Sequence, residues 1–324
     1  MKPKNLSCRL RRLDMVRYKR IPAEYSLQSP SKRFSLISSR IGMFVFCLSL
    51  LTLLTSLNLN DPVLWISAPF LIFSGSVALH NIALLGHEGT HFTLSNDRYT
   101  SALIGTLCSA LVPLHFNTGF AVTHAIHHWH ANTDKDPDLQ LFSEFKNFFS
   151  RLFLARSKAS RKYLMDTIEL ARGNMNYRNQ VGIKDEVLFK LARINLLASG
   201  IMLLIYGTAI VLFPWTFGIS FLSIYVLAVL LSSLRPFMEH VGTDSGAFSN
   251  SRTFSNTFLD FTFGTINFHL AHHMYPQVPA YHLPQLNDWL NENEYIPKTE
   301  AIEELSTLKL MKAISKGRYG EVTS

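Results

Sequence analysis

An all-α fold, a polytopic membrane protein with four transmembrane helices and a cytoplasmic helical cap, is what the sequence predicts, and three observations predict it. Four long runs of the 324 residues carry no charged side chain. The basic residues avoid two of the connections between those runs altogether. The histidines gather at helical spacings close to the ends of the runs.

A chain that is 48% hydrophobic and 17% charged fits two soluble domains or one membrane domain, so composition alone does not choose. The runs do. They span 41–59, 63–86, 194–213 and 217–234, lengths that match a helix rising ~1.5 Å per residue through ~30 Å of hydrocarbon. Buried helices of a large soluble protein rarely stay uncharged for so long.

The net charge of +8 would point to nucleic acid if the basic residues formed a patch. Instead 11 of the 31 Lys and Arg precede residue 41, 13 lie between Gly86 and Ile194, and 7 follow Leu234, which leaves none near Asn60 or Trp215. No nucleic-acid partner is expected. The bias of positive charge toward the cytoplasm places both termini and the long middle segment on that side. Residues 1–40, with Arg11, Arg12, Lys19 and Arg20 but no apolar core of signal-peptide length, read as a basic cytoplasmic tail against lipid. Residues 41–290 read as the membrane domain and 291–324 as a cytoplasmic C-terminal tail. Cys8, Cys47 and Cys108 have neither pairing nor metal-ligand spacing.

Between the second and third runs, 99–123 is also uncharged, but its apolar core from Ser101 to Leu114 is short and contains Pro113. A re-entrant or interfacial segment is expected, which keeps the histidines on either side of it on one face of the membrane. From Leu141 the pattern of Leu141, Phe142, Phe145, Phe148, Phe149, Leu152 and Phe153, with Lys146, Arg151 and Arg156 among them, predicts one amphipathic helix at the lipid interface.

Nine of the thirteen histidines form three clusters and one isolated position. His87-Glu88-Gly89-Thr90-His91 places two imidazoles four residues apart. His124-Ala125-Ile126-His127-His128 and His269-Leu270-Ala271-His272-His273 each present histidines at i, i+3 and i+4, which a single helical face would display. His240 follows the fourth run by six residues. Neutral imidazole suits Zn, Cu, Fe and Ni, and eight or nine of them exceed what one ion can use, so two metal ions are implied.

This pattern, His-x3-His, His-x2-His-His and His-x2-His-His across four spans, resembles the membrane fatty-acid desaturases and the related carotenoid and sphingolipid hydroxylases. The resemblance covers about residues 40 to 290. It includes Asn132-Thr133-Asp134-Lys135-Asp136-Pro137-Asp138 after the second cluster, and Asn267-Phe268-His269 through Tyr275-Pro276 and Pro279-Ala280-Tyr281-His282-Leu283-Pro284 around the third. It implies a histidine-ligated di-iron site: two Fe ions held by His87, His91, His124, His127, His128, His240, His269, His272 and His273, with O₂ as co-substrate. It further implies a fatty-acid desaturase of the acyl-lipid type, working on a lipid-like substrate held in a membrane. A hydroxylase or ketolase of a carotenoid or other lipid is the alternative. The three-residue gap in the first cluster is similar to acyl-lipid enzymes rather than acyl-CoA enzymes. Pro236 stands where the acyl-CoA enzymes carry an Asn. No electron-transfer module is visible in these residues, so a separate electron donor such as a ferredoxin or cytochrome is expected.

Two other functions fit parts of the sequence. His87-Glu88-x-x-His91 also matches a zinc-protease motif with Glu88 as general base, but one zinc needs three protein ligands and leaves six of the nine histidines unused. A metal transporter would carry ionisable residues inside its spans, where this chain has only His80. His80 reads as a hydrogen-bonded buried residue or a tunnel lining, His115 and His282 as structural, and His130 as out of register with the ligands. Asp134, Asp136 and Asp138 read as partners of imidazole N–H groups or as helix caps, a role Asn132 and Asn267 could share.

Overall fold

A computed structural model describes residues 20–25, 30–57, 62–297 and 307–320. Arg11, Arg12, Lys19 and Cys8, expected in a basic tail, lie outside the described residues. In chain order the helices are α1 (Pro30–Leu57), α2 (Pro62–Thr90), α3 (Arg98–Ala110), α4 (Asn117–His130), α5 (Pro137–Phe142), α6 (Phe148–Phe153), α7 (Ala155–Ala171), α8 (Asp185–Leu212), α9 (Ile219–His240), α10 (Thr257–Phe263), α11 (His269–Met274), α12 (Leu283–Glu292) and α13 (Thr307–Lys316). Among the described residues extended pairing is limited to two isolated bridges, Val241 with Tyr319 and Thr253 with Phe268.

Four helices, α1, α2, α8 and α9, the last entered through a wide turn at Pro214–Gly218, are long and apolar enough to cross a membrane. Three of them run well past the uncharged stretch that announces them, because charge ends an apolar run without ending a helix. α8 begins at Asp185 and Glu186, acidic residues that favour the positive end of the helix dipole. α9 continues to His240 with Pro236 inside it, a residue that costs one backbone bond but does not stop the helix here. His240 is therefore the last residue of the fourth long helix, not a residue of the loop beyond it.

α2 stands at the centre, against α1, α3 and α9, and every residue from Ser74 to Thr90 is buried. Its contact with α3 is made backbone to backbone: a Cβ placed on Gly89 would lie 2.7 Å from the Cα of Gly105. The outer faces of the long helices and the turn into α9 expose Trp65, Ile66, Phe70, Leu204, Val211 and Trp215, an apolar surface that water penalises and lipid accepts. One core fills the space among the long helices around Leu79, Phe221 and Ile224. A second lies under the shorter helices at one end, around Phe237, Tyr163, Ala271, Leu286 and Ile314.

α3 has 13 residues, about 20 Å of helix, too short to cross ~30 Å of hydrocarbon. The chain passes along α3 and returns through α4 to the end of the bundle from which it left. The single amphipathic helix expected from Leu141 is instead three, α5, α6 and α7. Asn147 caps α6, its side chain accepting from the Ser150 N–H, and this break turns Arg151 inward. Arg151 is 1% exposed and donates to the carbonyls of Phe145, Ile314 and Gly317, so it ties α6 to the end of α13 rather than to lipid. The residues after α13 continue inward, with Gly320 donating to the His240 carbonyl.

Candidate metal centre

All nine clustered histidines meet at the end of α2 and α9. Each His-x2-His-His triple lies in an α-helix, where its spacing keeps it on one face, and that face is divided between two groups. α4 sends His124 and His128 to one group and His127 to another, while α11 sends His272 to the first and His269 and His273 to the second. The first group contains His87, His91, His124, His128 and His272, whose nitrogens lie within 4.8 Å of one another. The second contains His127, His240 and His273, and His240 is shared with a cluster that also holds His269 and Glu239.

The Nε2 atoms converge. That of His124 stands 2.9 Å from His87, 3.0 Å from His91 and 3.1 Å from His128, and His128 stands 3.1 Å from His272. In the second group His269 Nε2 is 3.2 Å from His240 and 3.1 Å from His273. A neutral imidazole nitrogen either donates one proton or accepts one, so the three contacts of His124 cannot all be hydrogen bonds. Burial holds His91 down to about 3 and holds His124, His128, His269, His272 and His273 well below the usual imidazole range. In the Nδ1–H tautomer lone pairs face lone pairs, which a cation between them would relieve. Two nitrogens at right angles, each about 2.1 Å from one ion, are separated by about 3.0 Å, the spacing found in both groups. The donor set fits two divalent ions.

The other ring nitrogens of His127 and His240 are held from outside, whereas Nδ1 of His87, His128, His272 and His273 has no hydrogen-bond partner among the described residues. His127 Nδ1 donates to both oxygens of Asp136 at 3.0 Å, and Asp136 also accepts from the N–H groups of Asn132 and Asp138 at 2.8 Å. Burial opposes charge on His127, but the Asp136 carboxylate outweighs it and pushes the imidazole up to about 9. Burial pushes Asp138 up to about 6. His240 Nδ1 bonds the Asn250 carbonyl at 3.0 Å, a carbonyl that Asn132 Nδ2 also reaches at 2.7 Å. Asn132 takes a left-handed backbone at φ 60° to do so, a conformation Asn tolerates better than most residues. Asn267 touches no imidazole; it bonds Phe254 and Asp260.

The two oxygens of Glu88 face different ways: Oε1 lies 3.9 Å from His87 Nδ1, on the side away from the converging Nε2 atoms. Glu88 Oε2 accepts from Thr93 Oγ1 at 2.8 Å and from the Ala280 N–H at 3.1 Å, which makes it a strut between α2 and the segment before α12 rather than a general base. His130 joins no cluster, Asp134 is exposed, and His282 packs against Tyr25 and Tyr281. Cys47 and Cys108 are buried and free. Glu239 was not anticipated. It is 2% exposed, and its Oε1 lies 3.4 Å from both Arg235 Nε and His269 Nδ1; the available signal was a carboxylate beside His240 at the end of an apolar helix, a costly placement that marks function. Tyr319, also unanticipated, packs its ring 5.4 Å from that of His240.

Two cavities adjoin the centre. The inner one, about 70 Å³, is bounded by His87, His124, His240, His269, Glu239 and Tyr319 among others. The outer one, about 270 Å³, lies between the α3–α4 turn, α7 and the middle of α9. His80, Arg156 and Ser232 line both. His80 is the buried, bonded residue expected, its Nδ1 2.8 Å from Ser232 Oγ, and it also lines both cavities.

The sequence model of the fatty acid desaturase family matches residues 63–300. An omega-3 fatty acid desaturase, chloroplastic, of Brassica napus is 23% identical over 298 residues, covering 83% of this chain and 70% of the relative. An sn-2 acyl-lipid omega-3 desaturase (ferredoxin), chloroplastic, of Arabidopsis thaliana is also 23% identical, with 83% and 63% covered. A third, an omega-3 fatty acid desaturase, chloroplastic, of Sesamum indicum, is 25% identical over 247 residues, and the chain spans 54% of its length.

Proposed function

The chain belongs to the fatty acid desaturase family and is an oxidoreductase of the desaturase type, and from that premise we propose that it is an integral membrane di-iron enzyme that introduces a double bond into the acyl chain of a lipid. The observation that carries this reading is the pair of adjoining imidazole clusters at the inner end of two neighbouring cavities that run along α7 and α9, in a bundle of membrane-length helices. His87, His91, His124, His128 and His272 would hold one iron, and His127, His240, His269 and His273 the other, with Glu239 beside the second. The bound iron pair supplies the oxidation of an unactivated C–H bond by O₂.

The protein's own work is placement. The cavity holds a hydrocarbon segment against the imidazoles and excludes water, and positions of this kind decide which methylene reacts. Asp136 and the Asn250 carbonyl fix which nitrogen of His127 and His240 faces inward. Loss of two hydrogens from –CH₂–CH₂– gives –CH=CH–, and O₂ becomes two waters with two electrons from the substrate, two from a separate carrier such as a ferredoxin or cytochrome, and two protons from solvent. Both termini and all nine histidines face the cytoplasm on this reading, because no Lys or Arg lies in the two short connections at the other side.

Lipid and pigment profiles of cells with and without the protein test the reaction, alongside elemental analysis of the purified chain. A new double bond with two irons per chain supports the proposal; a new alcohol or ketone replaces it with a hydroxylase or ketolase. One zinc per chain with O₂-independent peptide cleavage refutes it. Cysteines placed at Thr93 and Thr133 should label from the same side.

A further inference from the structure

α7 carries four basic residues, Arg156, Lys158, Arg161 and Lys162, and the structure treats them in two ways. Lys158 lies 2.5 Å from Glu144, and Lys162 lies 2.8 Å from Asp166. Arg156 and Arg161 have no hydrogen-bond or ion-pair partner for their guanidinium groups among the described residues. These two are the ones that line the outer cavity. Arg156 stands at its inner end, shared with the chamber of imidazoles; Arg161 is exposed and lines the outer cavity alone. Five residues of helix, about 7.5 Å, separate them. Ser157 and Ser160 complete this polar wall, and Val112, Pro113, Leu114, Ala228 and Val229 form an apolar wall opposite. Burial disfavours the charge on Arg156, Tyr163 and Tyr225 partly offset this and Arg235 adds to it, and among the described residues no carboxylate lies within ion-pair reach.

A cavity for plain hydrocarbon gains nothing from two unpaired guanidiniums, and the half-buried one, Arg156, costs free energy to keep unpaired. Planar guanidinium groups match the paired oxygens of carboxylate and phosphate. We propose that Arg156 and Arg161 form an anion subsite, and that the substrate is an amphiphile carrying a phosphate or carboxylate there, with its hydrocarbon along the apolar wall. This rests on the desaturase reading for the word substrate, but the binding it describes does not need turnover.

The test uses the full chain in detergent micelles, with dissociation constants for oleate, methyl oleate, dioleoylphosphatidylglycerol and dioleoylglycerol measured by displacement of one labelled lipid. At least one anionic lipid should bind about tenfold or more tightly than its uncharged counterpart. Arg156→Gln and Arg161→Gln should each erode that preference at unchanged iron content, Arg156→Lys should restore part of it, and Lys158→Gln should leave it intact. Loss of the preference for phosphatidylglycerol but not oleate in Arg161→Gln assigns phosphate to the mouth; loss of both in Arg156→Gln alone assigns a carboxylate to the inner end. Equal binding of charged and uncharged lipids, or an unchanged preference in both Gln variants, overturns the subsite. Because Arg161 is exposed, Arg161→Gln still tests the subsite even if Arg156→Gln fails to fold. An intact preference without any lipid product would sink the desaturase reading and leave the subsite standing.

Discussion

Replacing Asp136 by Asn changes one oxygen for an NH₂ group in a carboxylate that is fully buried. Oδ1 accepts from the Asp138 N–H and Oδ2 from the Asn132 N–H, and both accept from His127. Whichever way the amide turns, its NH₂ faces a backbone N–H with no water between them. A buried unsatisfied donor costs about 1–3 kcal/mol, and bonds to a charged acceptor lose roughly half their worth when it becomes neutral, so the variant should lose about 3 kcal/mol. If all of this falls on the orientation of His127, metal retention drops by about 100-fold; if part is absorbed by the turn at 131–136, by about tenfold. The assay is competition for iron against a chelator of known affinity, with Asp134→Asn as the control because that carboxylate is exposed and unbonded. Asp136→Asn retaining iron within about twofold of Asp134→Asn would refute the idea that this carboxylate sets the geometry of the second group.

Three further outcomes are expected. His240→Ala should abolish turnover and lower iron content, as should His128→Ala and His272→Ala, while His130→Ala and His282→Ala keep both; normal iron in His240→Ala would remove it from the donor set. In the metal-free protein His127 is held up to about 9, above the ~6.5 of an unfolded chain, so its contribution to stability is complete below that lower value and is lost as pH rises through 9. Metal must expel that proton at neutral pH, so apparent metal affinity should climb between pH 7 and 9 and then level, with about one proton released per chain in titration calorimetry; a flat profile contradicts the His127–Asp136 assignment. Gly119→Ala should yield little folded, iron-loaded protein, because its Cβ would lie 2.1 Å from the Tyr163 carbonyl oxygen, whereas Gly42→Ala meets nothing within 4 Å and should match the parent in melting temperature and yield.

What can be read from the residues is what repeats at short range. Four uncharged runs announce α1, α2, α8 and α9, and helical spacing announces the histidines, because both signals lie within a turn or two of helix. Division of each triple between two groups is not legible, since it depends on α4 and α11 approaching from different sides. Arg151 reads as a surface charge for the same reason: its acceptors at Ile314 and Gly317 lie far along the chain. The break at Asn147 is legible in principle, as an N-cap residue three before Ser150, but the aromatic periodicity across it is stronger. Glu239 needs only its neighbour to be noticed. Tyr319 and the unpaired state of Arg156 have no sequence signal at all, because both are defined by what surrounds them.

The seat of Tyr319 against His240 gives the chamber a calendar. A ribosome delivers the last of the nine histidines, His273, 46 residues before it delivers the tyrosine that packs against one of them, His240. At about 5–20 residues per second that is an interval of roughly 2–9 s, during which every imidazole exists and the Tyr319 ring and the Gly320 bond to His240 do not. For that interval the His240 ring lacks its Tyr319 neighbour and the His240 carbonyl lacks the Gly320 N–H, so the fourth long helix is finished before the contacts that hold its last residue exist.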